Sequence, residues 1–96
     1  MSLLDDPMHP GEVLKELYLD PLDMSALALA RRLGVPRTRI ERLVKGTTGM
    51  TPDTALRLAC VFGTTPDYWM AMQTNFDMAA ARKEVDLSGI EPLVAA

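Results

Sequence analysis

The stretch Leu29-Ala30-Arg31-Arg32-Leu33-Gly34-Val35-Pro36-Arg37-Thr38-Arg39-Ile40-Glu41-Arg42-Leu43 decides the fold. Its apolar side chains fall at Leu29, Leu33, Val35, Ile40 and Leu43, so one side of the segment can face a core. Ala30 stands where two crossing helices must come close, and a larger side chain would push them apart. Gly34 follows the last apolar residue of the first half, where the chain needs a left-handed conformation that glycine adopts without cost. Pro36 suits the opening of a second helix, because an N–H is unpaired there in any case. The segment therefore reads as two short helices joined by a glycine turn. Five arginines and one glutamate decorate it.

That basic decoration is local. The whole chain of 96 residues has a net charge of −3, which taken as an average argues against a polyanionic partner. Counted by segment, residues 1–30 carry −5, residues 31–45 carry +5 and residues 46–96 carry −3. A basic block inside an acidic protein is the footprint of a polyanion, and the surrounding acid keeps other surfaces off phosphate. Small residue, glycine turn, apolar lock and basic second helix together form a helix-turn-helix pattern.

The flanking sequence supplies three more helices. Pro10 opens the first, with Glu12 and Glu16 at the positive end of its dipole and Val13, Leu14, Leu17 and Tyr18 at core spacing. Asp20-Pro21 is expected to stop it. Ser25 caps the second helix, and Met24 and Leu29 stand at the positions of a hydrophobic staple. The third runs from about Pro36 to Lys45, closed by Gly46. Thr51-Pro52-Asp53 carries the start signals of a fourth, whose Leu56, Leu58, Ala59, Cys60, Val61 and Phe62 suggest a central helix apolar nearly all round. After Gly63, Thr65-Pro66-Asp67 repeats those signals for a fifth helix reaching about Glu84. The expected organisation is a loose arm over residues 1–7, a domain over 8–84 and a tail over 85–96. With 48% apolar and 5% aromatic residues and no sustained period of two, the fold class is all-α, five helices with the helix-turn-helix at the second and third.

Other functions find little support. His9 is the single histidine, and Cys60 lies within the core pattern of the fourth helix, so no metal site and no cofactor are expected. Cys60 reads as a small apolar core residue. No histidine partner stands near a serine or threonine for a triad, and no glycine-rich phosphate loop occurs, so an enzyme is not expected. One cysteine forms no internal disulfide, and neither a secretory signal nor a membrane span is visible, so a cytoplasmic protein is expected.

On the third helix, Ile40, Leu43 and Val44 face inward, which turns Thr38, Arg42 and Lys45 directly outward. Arg37 lies nearer the core by angle, but its long side chain reaches out from the helix start. Arg37, Thr38 and Arg42 are the candidates for base edges in a major groove. Arginine can donate two bonds to guanine, and threonine can bond a base or pack on a thymine methyl. Arg39 and Lys45, on the flanks, are assigned to phosphate, as is Ser25 with the free N–H groups at the start of the second helix. Arg31 and Arg32 fit surface ion pairs as well as DNA. Glu41 fits a spacer between arginines, although it could accept from cytosine. Trp69, Met72 and Phe76 form one stripe of the fifth helix, with Met70 and Met78 off it. Trp69, Met72 and Phe76 read more often as core than as binding surface, whereas Met70 and Met78 add apolar surface beyond what a core needs and so point to a partner. With the fifth helix taken as a main dimer element, Trp69, Met70, Met72, Phe76 and Met78 are assigned to dimerisation. A two-fold dimer presents two recognition helices ~34 Å apart, one DNA turn, and so reads a palindrome.

The chain also resembles a known family. His9-Pro10-Gly11-Glu12, the Ala30/Gly34/Ile40 framework, Gly46, Thr51-Pro52-Asp53-Thr54-Ala55-Leu56-Arg57-Leu58-Ala59 and Phe62-Gly63-Thr64-Thr65-Pro66-Asp67-Tyr68-Trp69 are similar to the HigA (VapI-like) branch of the Cro/cI-type (XRE) helix-turn-helix superfamily. The resemblance covers about residues 8–77. It implies a lambda-repressor-like domain and a homodimeric repressor that binds a palindromic operator before its own operon. It further implies neutralisation of a HigB-type, mRNA-cleaving toxin. A stand-alone regulator without a toxin stays open. The acidic residues 5–23 suit a basic protein partner. One departure is Ala26, at a position where many members of the superfamily carry a DNA-contacting glutamine. Its absence shifts the reading onto the third helix.

Overall fold

In the computed structural model, which describes residues 6–94, the chain forms helices and turns and, among those residues, no strand. The elements are α1 (Pro10–Leu14) running into a π-helical turn (Lys15–Leu19), α2 (Ala26–Leu33), α3 (Arg37–Val44), α4 (Pro52–Phe62) and α5 (Pro66–Glu84). Residues 1–5 of the expected arm and the last two of the expected tail lie outside the described residues.

Each helix begins and ends where local chemistry allows it. The side chains of Ser25, Thr51 and Thr65 accept from the N–H groups of Ala28, Thr54 and Tyr68, satisfying donors that no helical carbonyl can reach. Gly34 and Gly63 close α2 and α4 in the left-handed region, at φ 71° and 68°. Gly46, at φ 77°, does the same after α3, where the Thr47 N–H bonds the Arg42 carbonyl across the turn. Pro36 is extended and donates no cap, standing just before α3 rather than inside it.

The first helix departs from simple periodicity. Pro21 has no N–H, and its ring would collide with the carbonyl four residues back, so the preceding turn widens. The Asp20 N–H consequently reaches the Lys15 carbonyl at 2.8 Å, five residues away. The extra residue moves Leu19 into the core at 4% exposure and turns Leu17 out at 62%. Leu17 is therefore not the core residue that a 3.6-residue period implies. The helix ends at Leu19 with Asp20 as its C-cap, where Asp20-Pro21 is expected to stop it. The turn that follows closes at Asp23, at φ 51°, with the Met24 N–H on the Leu19 carbonyl.

Leu14, Leu19, Leu29, Ala30, Leu33, Ile40, Leu43, Met50, Ala55, Leu58, Ala59 and Trp69 make one continuous core. Helix α4 is less central than its apolar sequence suggests. Ala55, Leu58 and Ala59 are buried, whereas Leu56 and Cys60 share an exposed side. Cys60 is thus a surface thiol and not a core residue. The inward face of α4 is a narrow stripe of Thr54, Ala55, Leu58 and Ala59, so the other apolar residues of the helix are only partly buried or exposed.

The motif His9-Pro10-Gly11-Glu12 has a direct physical basis. The His9 ring accepts from the Gly11 N–H at 3.0 Å and stacks edge-on against Phe76 of α5, with ring centroids 5.0 Å apart. Gly11 lies so close to the Leu43 carbonyl that a Cβ there would overlap it. This glycine lets α1 rest on the end of α3. After Glu84 the chain leaves α5 extended, and Leu87, Ile90, Leu93 and Val94 are exposed.

Candidate nucleic-acid interface

Helix α3 is held on its inner side by Ile40, at 0% exposure, and Leu43, at 2%, with Val44 packed against the core edge. Two residues from these anchors, on the opposite side of the helix, the polar face turns to solvent, and Arg37, Thr38, Arg39, Arg42 and Lys45 are all exposed. Thr38, Arg42 and Lys45 follow one another at four- and three-residue spacing and share one outward stripe. Ala30, buried beneath, lets α2 pack against α3, so the stripe is carried on a pair of helices that share one core.

The arginines divide into two groups by their partners. Arg37 pairs with Glu41 one turn later, Nε to Oε1 at 3.0 Å. Glu41 is thus an ion-pair partner of Arg37 on the surface of α3. Arg42 forms no ion pair among the described residues, and neither do Lys45, Arg31 or Arg32. Arg39 is different. Its Nη1 donates to Asp53 Oδ1, at the start of α4, at 2.7 Å. The same Asp53 oxygen accepts from Arg57 Nε at 2.8 Å. Arg57 Nη1 in turn donates to the carbonyl of Leu33, the last residue of α2, at 2.7 Å. The two guanidinium groups, that of Arg57 foremost, hold the Asp53 carboxyl below the usual carboxylate range.

Ser25 lies on a separate element, at the start of α2, exposed, with its oxygen accepting from Ala28 N–H at 3.1 Å. Its hydroxyl hydrogen remains a donor, alongside the unpaired N–H groups of the first turn. Ala26, next to it, is half-buried against the core.

On α5 the five residues assigned to dimerisation separate. Trp69 is 0% exposed, its ring within an aromatic cluster with Tyr18, Phe62 and Tyr68 and its Nε1 donating to Thr64 Oγ1 at 2.8 Å. Trp69 is core, not surface, because α5 lays its first turns across α1 and α4. Met70 and Met72 are half-buried against that core, and Phe76 is half-buried against His9. Met78, at 44% exposure, is the one that stands open.

Gln73 was not singled out by its sequence position, yet it anchors the loop after α3. Its Oε1 accepts from the Met50 N–H at 2.6 Å, and its Nε2 donates to Asp77 at 2.9 Å. No local signal reveals a bond spanning 23 residues. Among the described residues no cluster of three histidine, cysteine or acidic side chains is placed to hold a metal ion, and no helix is long and apolar enough to cross a membrane.

A family model described as helix-turn-helix matches residues 14–69, more than half of the chain. The chain belongs to the helix-turn-helix family. The matched span runs from the inner residue of α1 to the buried tryptophan of α5, the whole frame around the basic stripe. This XRE-type family consists of DNA-binding regulators and not of enzymes, and the similar proteins place the chain on its HigA branch. Virulence-associated protein I of Dichelobacter nodosus is 46% identical over 77 residues, 80% of this chain and 71% of that protein. The HTH-type transcriptional regulator YddM of Escherichia coli is 33% identical over 94 residues, 98% of each chain. The solved structure of Pseudomonas aeruginosa antitoxin HigA with the higBA promoter superposes with a TM-score of 0.82 at 36% identity, covering 92% of this chain and 99% of that one.

Proposed function

We propose that this chain is a dimeric transcriptional repressor that binds a palindromic operator upstream of its own gene and acts as the antitoxin of a HigB-type toxin in the cytoplasm. One observation carries the DNA-binding part: the exposed stripe Thr38, Arg42 and Lys45, with Arg37 beside it, on a helix locked by Ile40 and Leu43 in an otherwise acidic protein. Thr38 and Arg42 reach base edges, and Arg37 joins them from the helix start once Glu41 has set its direction. Lys45, Ser25 and the free part of Arg39 take phosphate. The helix-turn-helix frame over residues 8–84 is the DNA-binding unit, and the exposed end of α5 near Met78 supplies the dimer contact with Met70, Met72 and Phe76 shaping it. The HigA structure solved with promoter DNA supports this reading.

The antitoxin role rests on that kinship and on the acidic surface of residues 12–23, which suits a basic partner. A second reading is a regulator acting alone; the likeness to YddM, over nearly the full length of both chains, is to a protein named as an HTH-type transcriptional regulator and so is compatible with it. Purification of the tagged chain, co-expressed with each reading frame that flanks its gene, separates the two. The antitoxin reading expects a small basic protein to remain bound through gel filtration and to arrest growth when expressed alone. If neither neighbour is retained while the chain still shifts its upstream DNA, the stand-alone regulator is correct.

A further inference from the structure

Most of the polar groups around α3 explain themselves as solvent-facing, but the chain of contacts from Arg39 to Asp53 to Arg57 to the Leu33 carbonyl does not. It joins three helices through two arginines that share a single carboxylate oxygen. An aspartate beside a DNA-binding helix is electrostatically unfavourable, since it repels the same phosphates that the arginines attract. Its placement calls for a compensating gain.

We propose that Asp53 and Arg57 are positioning residues for the DNA-reading face, orienting the Arg39 guanidinium for phosphate and fixing α3 against the end of α2. This rests on the reading of α3 as the DNA-binding helix.

The geometry gives each member a definite task. Arg57 spans from α4 to α2. Its Nη1 satisfies the carbonyl of Leu33 at a helix end, where the last four carbonyls lack helical partners. Its Nε donates to the same Asp53 oxygen that Arg39 uses, one helical turn away. Asp53, thus fixed, takes only Nη1 of Arg39. The planar fork of arginine leaves the remaining N–H groups of Arg39 free and aimed, with less rotamer freedom to lose when phosphate arrives. Isolated surface ion pairs contribute little, but a carboxylate shared by two guanidinium groups and tied to a backbone carbonyl is a network, and networks orient side chains. Thr51 and Pro52 contribute by starting α4 at the point that brings Asp53 opposite Arg39.

Asp53→Asn is the decisive substitution, because two simple ideas assign it opposite signs. Removal of a negative charge near DNA tightens binding if Asp53 acts through its charge alone. Loss of the shared carboxylate weakens binding if Asp53 positions Arg39. The measurement is a fluorescence anisotropy titration of a duplex carrying the region upstream of the gene. It compares wild type, Asp53→Asn, Arg39→Ala, the Asp53→Asn/Arg39→Ala pair and Arg57→Lys, each checked for wild-type helical content and cooperative unfolding. The expected result is a three- to tenfold loss of affinity for Asp53→Asn in the wild-type background and no loss, or a slight gain, in the Arg39→Ala background. Arg57→Lys keeps the charge but not the fork, so a loss is expected with an unchanged slope of affinity against salt concentration. Arg39→Ala is expected to lower that slope by about one phosphate contact.

Equal or tighter binding by Asp53→Asn, or the same loss with and without Arg39, overturns the positioning role while leaving the DNA-binding reading intact. Failure of wild type to bind the duplex at all overturns both. A variant that loses helical content is replaced in the cycle by Asp53→Ser, a residue that still suits the first turn of α4 and carries no charge, with the same expected signs.

Discussion

At residue scale, Gly11 shows how little freedom the framework has. Its position against the Leu43 carbonyl makes the contact between α1 and α3 a backbone-to-backbone one, so it cannot be relieved by turning a side chain. Gly11→Ala is expected to destabilise the fold by about 1–3 kcal/mol or more, read as a lower midpoint in urea unfolding. A midpoint equal to wild type would mean that α1 can move off α3 without loss. Tyr18 gives a second residue-scale expectation. Burial, with the hydrogen bond from its hydroxyl to Tyr68, pushes its pKa up to about 12. The folded state therefore favours the neutral phenol. That contribution to stability is fully present below the ordinary tyrosine value near 10 and is lost as pH rises through the folded value. Spectrophotometric titration should show a phenolate step near pH 12 that vanishes in Tyr18→Phe. Absence of that late step from wild type would show that the aromatic cluster around Trp69 is more open to water than its geometry implies.

At the scale of elements, what was legible in the sequence and what was not separates by the range of the interaction. Caps and breakers act within a few residues, and Ser25, Thr51, Thr65, Gly34, Gly46 and Gly63 mark helix ends in the structure as their chemistry requires. The outward stripe of α3 was equally legible, since Ile40 and Leu43 fix its angle. The π-helical turn was not, because a 3.6-residue period has no term for a proline six residues beyond Lys15 that forces the turn to widen. Leu17 is therefore exposed, and Leu19 takes the buried position. Cys60 and Leu56 were misplaced because the inward width of α4 depends on how much room α2 leaves, which is a property of packing. The links from Arg39 to Asp53 and from Gln73 to Met50 were invisible for a plainer reason: they join residues 14 and 23 positions apart. Arginine type and exposure identify a basic face, but only the fold says which arginine is already engaged.

At the scale of the molecule, one feature of charge and one of shape work together. Acid surrounds a short basic helix, so the protein approaches DNA in few orientations, and the rigid pairing of α2 with α3 presents the stripe without further ordering. A single helix reads too few base pairs to select a site, and the two-fold partner proposed at the exposed end of α5 would supply the second half-site. The central claim is that Arg42 on α3 reads a base there. Its most direct test is titration of the upstream duplex, and of duplexes each changed at one base pair, with wild type and Arg42→Ala. The expected result is a loss of about 1–3 kcal/mol for Arg42→Ala on the natural sequence, with discrimination lost at one symmetry-related pair of positions and kept at all others. Wild-type affinity and an unchanged pattern of base preferences in Arg42→Ala would contradict it.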